Sequence, residues 1–264
     1  QAAIDAARAE LRRVEWRMPP STTTSDVGRA THLAARDGVA VSPETATVLE
    51  AALAWAVASD GAFDPCLGRA VALWDVEHRT TPPAASAVHR LAARHLYRAL
   101  DVAGGARPRV RFTDRDAAID LGGIAKGYGV DRAVAALRRH GVTRGVVNVG
   151  GDLYALGRSE DGDPWRVGIR SAVDPDALTG TIDVADEAVA TSGDYERYFT
   201  YRGRRYHHLL DPETAAPRVT GVHSVTTRAP RCLDADAAAT AVFGVDRPGA
   251  ERRLRTAGRG VELV

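Results

Sequence analysis

The chain has 264 residues, 45% of them hydrophobic and 26% charged, with 35 Lys+Arg against 34 Asp+Glu and a net charge of +1. This is ordinary globular composition, which excludes a disordered tail or a fibrous repeat. Balanced charge argues against a nucleic-acid partner, which needs a clustered basic excess, and no apolar run approaches the roughly 18 residues needed to span a bilayer.

Residues 1–16 are predicted to form an amphipathic helix, with Ile4, Ala7, Leu11 and Val14 at helical spacing. Pro19-Pro20 and the hydroxyl run Ser21–Ser25 end it in a loop. Ser42-Pro43 reads as an N-cap followed by a first-turn proline, opening a second helix that runs to about Asp60. A third helix is predicted from about Ser86 to Leu100. The period then shortens: Val110–Thr113 and Ile119–Leu121 read as strands, followed by a helix from about Ala125 to His140 with Gly141 at its C-cap. Gly145–Val149, Asp152–Leu156, Trp165–Ile169, Gly180–Val184, Glu187–Ala190, Arg197–Tyr201, His207–Leu210 and His223–Thr227 are predicted strands. Helices from about Leu233 to Phe243 and from Gly249 to Thr256 follow. Helices lead and a strand-rich middle follows, so the expected class is α+β, with mixed or antiparallel sheets flanked by helices. No linker or repeat interrupts the chain, and residues 1–264 are expected to be a single domain. The chain starts at Gln1 and its one Met is Met18, so the natural N-terminus, with any signal or anchor, is expected upstream. Cys66 and Cys232 fit no disulfide framework or zinc spacing and are expected to be unpaired packing residues.

Five segments could carry chemistry. In Ile119-Asp120-Leu121-Gly122-Gly123-Ile124-Ala125-Lys126-Gly127 a glycine pair precedes a helix start, where bare backbone admits a phosphate and Lys126 adds a point charge. The same letters also suit a tight turn with a solvated lysine. Of all the basic residues in the chain Lys126 is the single lysine. Asn148-Val149-Gly150-Gly151-Asp152 reads as a bulge or hairpin. Thr191-Ser192-Gly193-Asp194-Tyr195 suits either a phosphate-binding loop or an ST-turn. In His207-His208-Leu209-Leu210-Asp211-Pro212, if extended, the two imidazoles point to opposite faces, so one at most serves a given site as general base. Asp236 and Thr240 are i,i+4 neighbours on a helix and offer the oxygen donors that Mg²⁺ favours, although Asp234 or Asp236 could equally cap that helix.

The order of these segments, with Gly61-Ala62-Phe63-Asp64-Pro65 and Leu73-Trp74 before them, resembles the ApbE family of FAD:protein FMN transferases over residues 42–245. The resemblance implies an ApbE-like fold with a central FAD cleft. It also implies Mg²⁺-dependent cleavage of the FAD pyrophosphate, FMN passing to a Ser or Thr of an acceptor flavoprotein with release of AMP. It assigns Ala62, Phe63, Asp64, Asp120, Lys126, Thr191 and Leu210 to FAD, the Gly123 carbonyl, Asp236 and Thr240 to Mg²⁺, and His208 to the base. Family members are often membrane-anchored outside the cytoplasm; no signal or anchor is read in this chain. Two alternatives keep the same residues: an FAD pyrophosphatase giving FMN and AMP, and a flavin-binding protein without turnover. The chain departs from the family where an N-terminal aromatic and an Asn are usual, near Ser21 and Thr31, and where TGYP becomes Thr214-Ala215-Ala216-Pro217. The aromatic that packs on the flavin ring is therefore expected to be absent.

Overall fold

A computed structural model describes residues 1–33, 38–174 and 176–264. Every strand ladder among them is antiparallel, so the α+β expectation holds. No helix among the described residues is long and apolar enough to cross a membrane. By internal contacts the chain divides into two units: Gln1–Glu15 with Ile124–Gly193 and Val222–Val264, and Trp16–Gly123 with Asp194–Gly221.

The first unit is built on a five-stranded sheet in the order Glu262–Leu263, Ser224–Ala229, Glu187–Gly193, Asp152–Leu156, Gly145–Val149. Two helices, Ala125–Arg139 and Cys232–Val242, pack on it and on each other. Every residue of the second helix except Thr240 is buried. Its alanines explain how: a helix apolar on all sides can be enclosed, and small side chains let neighbouring backbones come close. Gly127 completes the approach, because a Cβ there would lie 2.3 Å from the Cys232 carbonyl oxygen. The N-terminal helix, Ala2–Arg17, lays Leu11 and Val14 beside Gly129. On that helix the buried Glu10 carboxylate binds Arg13, Arg132 and Arg139. Both cysteines are buried and unpaired, as expected.

In the second unit, Ser42 caps the helix Pro43–Ala58 by accepting the Thr45 N–H. A three-stranded sheet orders Val39–Ala40, Arg109–Phe112 and Leu100–Ala103. A hairpin, Tyr198–Tyr201 with Arg204–His207, stacks Phe199 and Tyr206 in series with Trp74, at 5.2 and 5.6 Å between ring centroids. Trp74 Nε1 donates to the Ala215 carbonyl at 2.7 Å, and Leu67, Leu91 and Leu210 fill the same core.

Three sequence expectations need correction. The helix expected at Ser86–Leu100 is a short helix, Ala85–His89, and a separate 3-10 turn, Leu96–Ala99. Ala93 and His95 between them take positive φ, and the N–H groups of Ala93 and Tyr97 turn to Pro212 and Asp64 instead of up a helix. Ile119–Leu121 is not a strand. The Ile119 and Asp120 N–H groups go to Thr31 Oγ1 and the Pro65 carbonyl, and the parallel bridge of Leu67 to Ala118 falls just before the segment. His207–Leu210 is broken after His207, whose Nδ1 accepts the Leu209 N–H that a ladder would have used. Helices Asp26–Leu33 and Gly68–Trp74 and the strand Leu100–Ala103 were not anticipated, since each is too short to show a period.

Gly127 and Gly129 sit on the same helix, and Ala at either site gains about 1 kcal/mol of helix propensity. Gly129→Ala meets the Leu11 methyl at 3.2 Å and Val14 at 3.9 Å, both side chains that can shift, so its stability should change little. Gly127→Ala drives into backbone and should lose about 1–3 kcal/mol despite that gain. Urea unfolding of the two variants side by side checks the difference.

Candidate active site

The chemistry-bearing residues of the first unit meet at the start of the helix Ala125–Arg139, just after the Gly122-Gly123 pair. Asp236 reaches this helix end and accepts the Gly127 N–H at 3.0 Å. Lys126 lies between two carboxylates, paired with Asp152 and 3.5 Å from Asp236 Oδ1. Both acids are almost fully buried, at 1% and 3% exposure. Burial, and then the charge of Asp236, push the Asp152 carboxyl up to about 7 against the pull of Lys126 and the Thr191 N–H. Burial works against the Lys126 ammonium, but Asp236 and then Asp152 outweigh it and hold its pKa above the usual lysine value. Two carboxylates thus share one ammonium.

Hydroxyls complete this cluster. Thr240 follows Asp236 by one helical turn, and its Oγ1 stands 3.4 Å from Ser192 Oγ. Thr191 pairs with Thr226 across the sheet, Oγ1 to Oγ1 at 2.9 Å. Among the described residues no three His, Cys, Asp or Glu gather as a metal cage. The donors at hand are carboxylate and hydroxyl oxygens, and that chemistry fits a hard divalent cation such as Mg²⁺.

Neither Asp234 nor Asp236 caps the helix Cys232–Val242. Asp131 does so from the neighbouring helix, accepting the Cys232 N–H at 2.8 Å and the Leu233 N–H at 3.0 Å. Burial pushes the Asp131 carboxyl up to about 6, against the effect of those two bonds. Asp234 instead pairs with Arg231 and Arg259. Asp236 thus caps the neighbouring helix through Gly127 rather than its own, and its second oxygen faces Lys126.

The other predicted residues belong to the second unit. Asp64 spends both oxygens on backbone, at 2.8 Å from the Cys66 N–H and 3.2 Å from the Tyr97 N–H, and burial raises its pKa. It therefore fixes the shape of the segment from Ala62 onward. The Ala62 carbonyl accepts from Arg218 at 2.7 Å, and Phe63 is buried. Asp120 accepts the Gly122 N–H at 2.8 Å, which shapes the glycine turn ending at Gly123, and burial raises its pKa too. Leu210 is a core residue paired with Pro217.

The two histidines differ in kind. His207 is buried, its Nε2 donates to the Arg218 carbonyl at 3.0 Å and its Nδ1 accepts the Leu209 N–H, so it is neutral, with burial lowering its pKa. His208 is half-buried, with Nδ1 3.3 Å from the Arg197 carbonyl. A carbonyl can only accept, so the proton sits on Nδ1 and Nε2 is the basic nitrogen.

Asp152 and Asp131 escaped the sequence reading. Asp152 carried a signal, as an acid directly after the Gly150-Gly151 pair, both of which take positive φ. Asp131 carried none, since it caps a helix about a hundred residues away in the chain.

The ApbE family model matches residues 1–264. An FAD:protein FMN transferase of Treponema pallidum is 40% identical over 223 residues, which is 78% of this chain and 60% of that relative. Its counterpart in Vibrio cholerae is 32% identical over 240 residues, 90% of this chain and 72% of the relative. Among solved structures, the ApbE protein of Thermotoga maritima superposes with a TM-score of 0.89 at 32% identity, covering 99% of this chain and 85% of the other. The apo flavinyl transferase ApbE of Pseudomonas stutzeri gives 0.83 at 28% identity, with 99% and 82% covered. The class these matches define is that of the flavin transferases, mixed helix-and-antiparallel-sheet enzymes. The chain belongs to the ApbE family.

Asp131 has a folded-state pKa of about 6 against an ordinary 3.8, so the folded protein binds more protons than the unfolded chain in between. Its contribution to stability is present in acid and is lost as pH rises through about 6, by up to about 3 kcal/mol. Unfolding measured across that interval should show a shallower pH dependence in Asp131→Asn than in the parent.

Proposed function

We propose that this chain transfers FMN from FAD to a Ser or Thr hydroxyl of an acceptor flavoprotein, releasing AMP and requiring Mg²⁺. The observation that carries the reading is the junction of the two family blocks, with Asp236 bonded to the Gly127 N–H and facing Lys126. Asp236 and Thr240, with the Gly123 carbonyl, are the ligands proposed for Mg²⁺, which when bound neutralises charge on the pyrophosphate and on departing AMP. Lys126 adds a positive charge toward the same phosphates. His208 Nε2 takes the proton of the acceptor hydroxyl as its oxygen bonds to the FMN phosphorus. The pyrophosphate P–O bond breaks and AMP leaves with the bridging oxygen. The Arg197 carbonyl holds His208 in the tautomer this step needs.

Incubation with FAD and Mg²⁺, with and without an acceptor protein, tests the reading. Covalent FMN on the acceptor, abolished by a chelator, is expected; free FMN and AMP in both arms would make water the acceptor instead. His208→Ala should slow transfer by about 100-fold, and a change of only a few-fold would remove it as the base. Lys126→Arg keeps the charge but presents a wider planar fork between Asp152 and Asp236, and should slow FAD turnover by about tenfold.

A further inference from the structure

The glycine-pair turn at Asn148–Asp152 is not accounted for by the ligand assignments above. Gly150 and Gly151 take φ of +61° and +96°, and Asn148 Oδ1 accepts the Gly151 N–H at 3.0 Å. The chain re-enters the sheet at Asp152, opposite Val149. Gly150 lies beside the lysine stem, since a Cβ there would be in van der Waals contact with Lys126 Cδ at 4.0 Å. The Asp152 carboxylate is held from a second side by the Thr191 N–H of the adjacent strand. The turn therefore aims a buried, fixed carboxylate at the one lysine of the chain.

We propose that Asp152 is a positioning residue: it draws the Lys126 ammonium toward itself and so loosens the hold of Lys126 on Asp236, leaving the Asp236 carboxylate able to take up a divalent cation. Three observations support it. The ammonium pairs with both acids, and its contact with Asp236 Oδ1, at 3.5 Å, is the longer of the two. The other Asp236 oxygen is occupied by the Gly127 N–H, so the oxygen facing Lys126 is the one a cation would share. And without Asp152 the ammonium has a single buried carboxylate left to pair with, so a cation must displace it.

The inference rests on the Mg²⁺-dependent reading above, and calorimetric Mg²⁺ titration of the protein separates the two. Binding by the parent with Asp152→Asn weakened about tenfold, Asp152→Glu near the parent, and Asp152→Asn/Lys126→Met recovering toward the parent is the expected pattern. Recovery in the double variant is the deciding result, because a purely structural aspartate would not be rescued by deleting its partner. Asp152→Asn within about twofold of the parent, or a double variant as weak as the single, overturns the role of Asp152. A parent that binds no Mg²⁺ overturns the metal reading itself and the inference with it. In FMN transfer, Asp152→Asn should raise the Mg²⁺ needed for half-maximal rate more than it lowers the rate at saturating Mg²⁺. Thermal melts of each variant without metal confirm that folded protein is being compared.

Discussion

The bond from the Gly127 N–H to Asp236 joins residues 109 apart on two helices, and much of the first unit is arranged to permit it. The amide is one of those a helix start leaves without an internal partner, so the carboxylate satisfies a real demand. The approach requires a glycine on one helix and the small-residue surface of Cys232–Val242 on the other. Asp131, on the first helix, caps the second in return. The two helices thus bond to each other's N-termini, which fixes their rotation and offset together. Asp236 and Lys126 inherit that precision.

Charge is the second constraint. Burying two carboxylates around one ammonium costs desolvation that the ion pairing only partly offsets. Apolar residues of similar volume would avoid that cost. The enclosure that makes the arrangement expensive also makes it stiff, since neither acid has solvent-side freedom. Thr240 is the one residue of its helix left partly exposed, and the Lys126 side chain is exposed as well.

The parts of the fold that announced themselves in sequence are those governed by local rules. The Ser42-Pro43 cap, the Gly141 stop and the long helices behave as their residues dictate. The misreadings arise where tertiary bonds override local preference. Ala93 and His95 take left-handed conformations, and Ile119–Leu121 looks like a strand but finds a helix hydroxyl and a loop carbonyl rather than a ladder. In the candidate site, Lys126, Asp236 and Thr240 are expected from the family pattern, and the structure brings the first two together. Asp152 was visible only as the end of a hairpin, because its importance lies in a lysine twenty-six residues earlier.

The single lysine gives the junction one more property. A protease that cuts only after lysine has one address in this chain, the bond between Lys126 and Gly127. That peptide carries the very N–H held by Asp236, at a helix start pressed against another helix's backbone. Extended binding in a protease cleft requires the local helix to open. The scissile bond is therefore a built-in clock for the opening of the helix pair, readable as the appearance of two fragments.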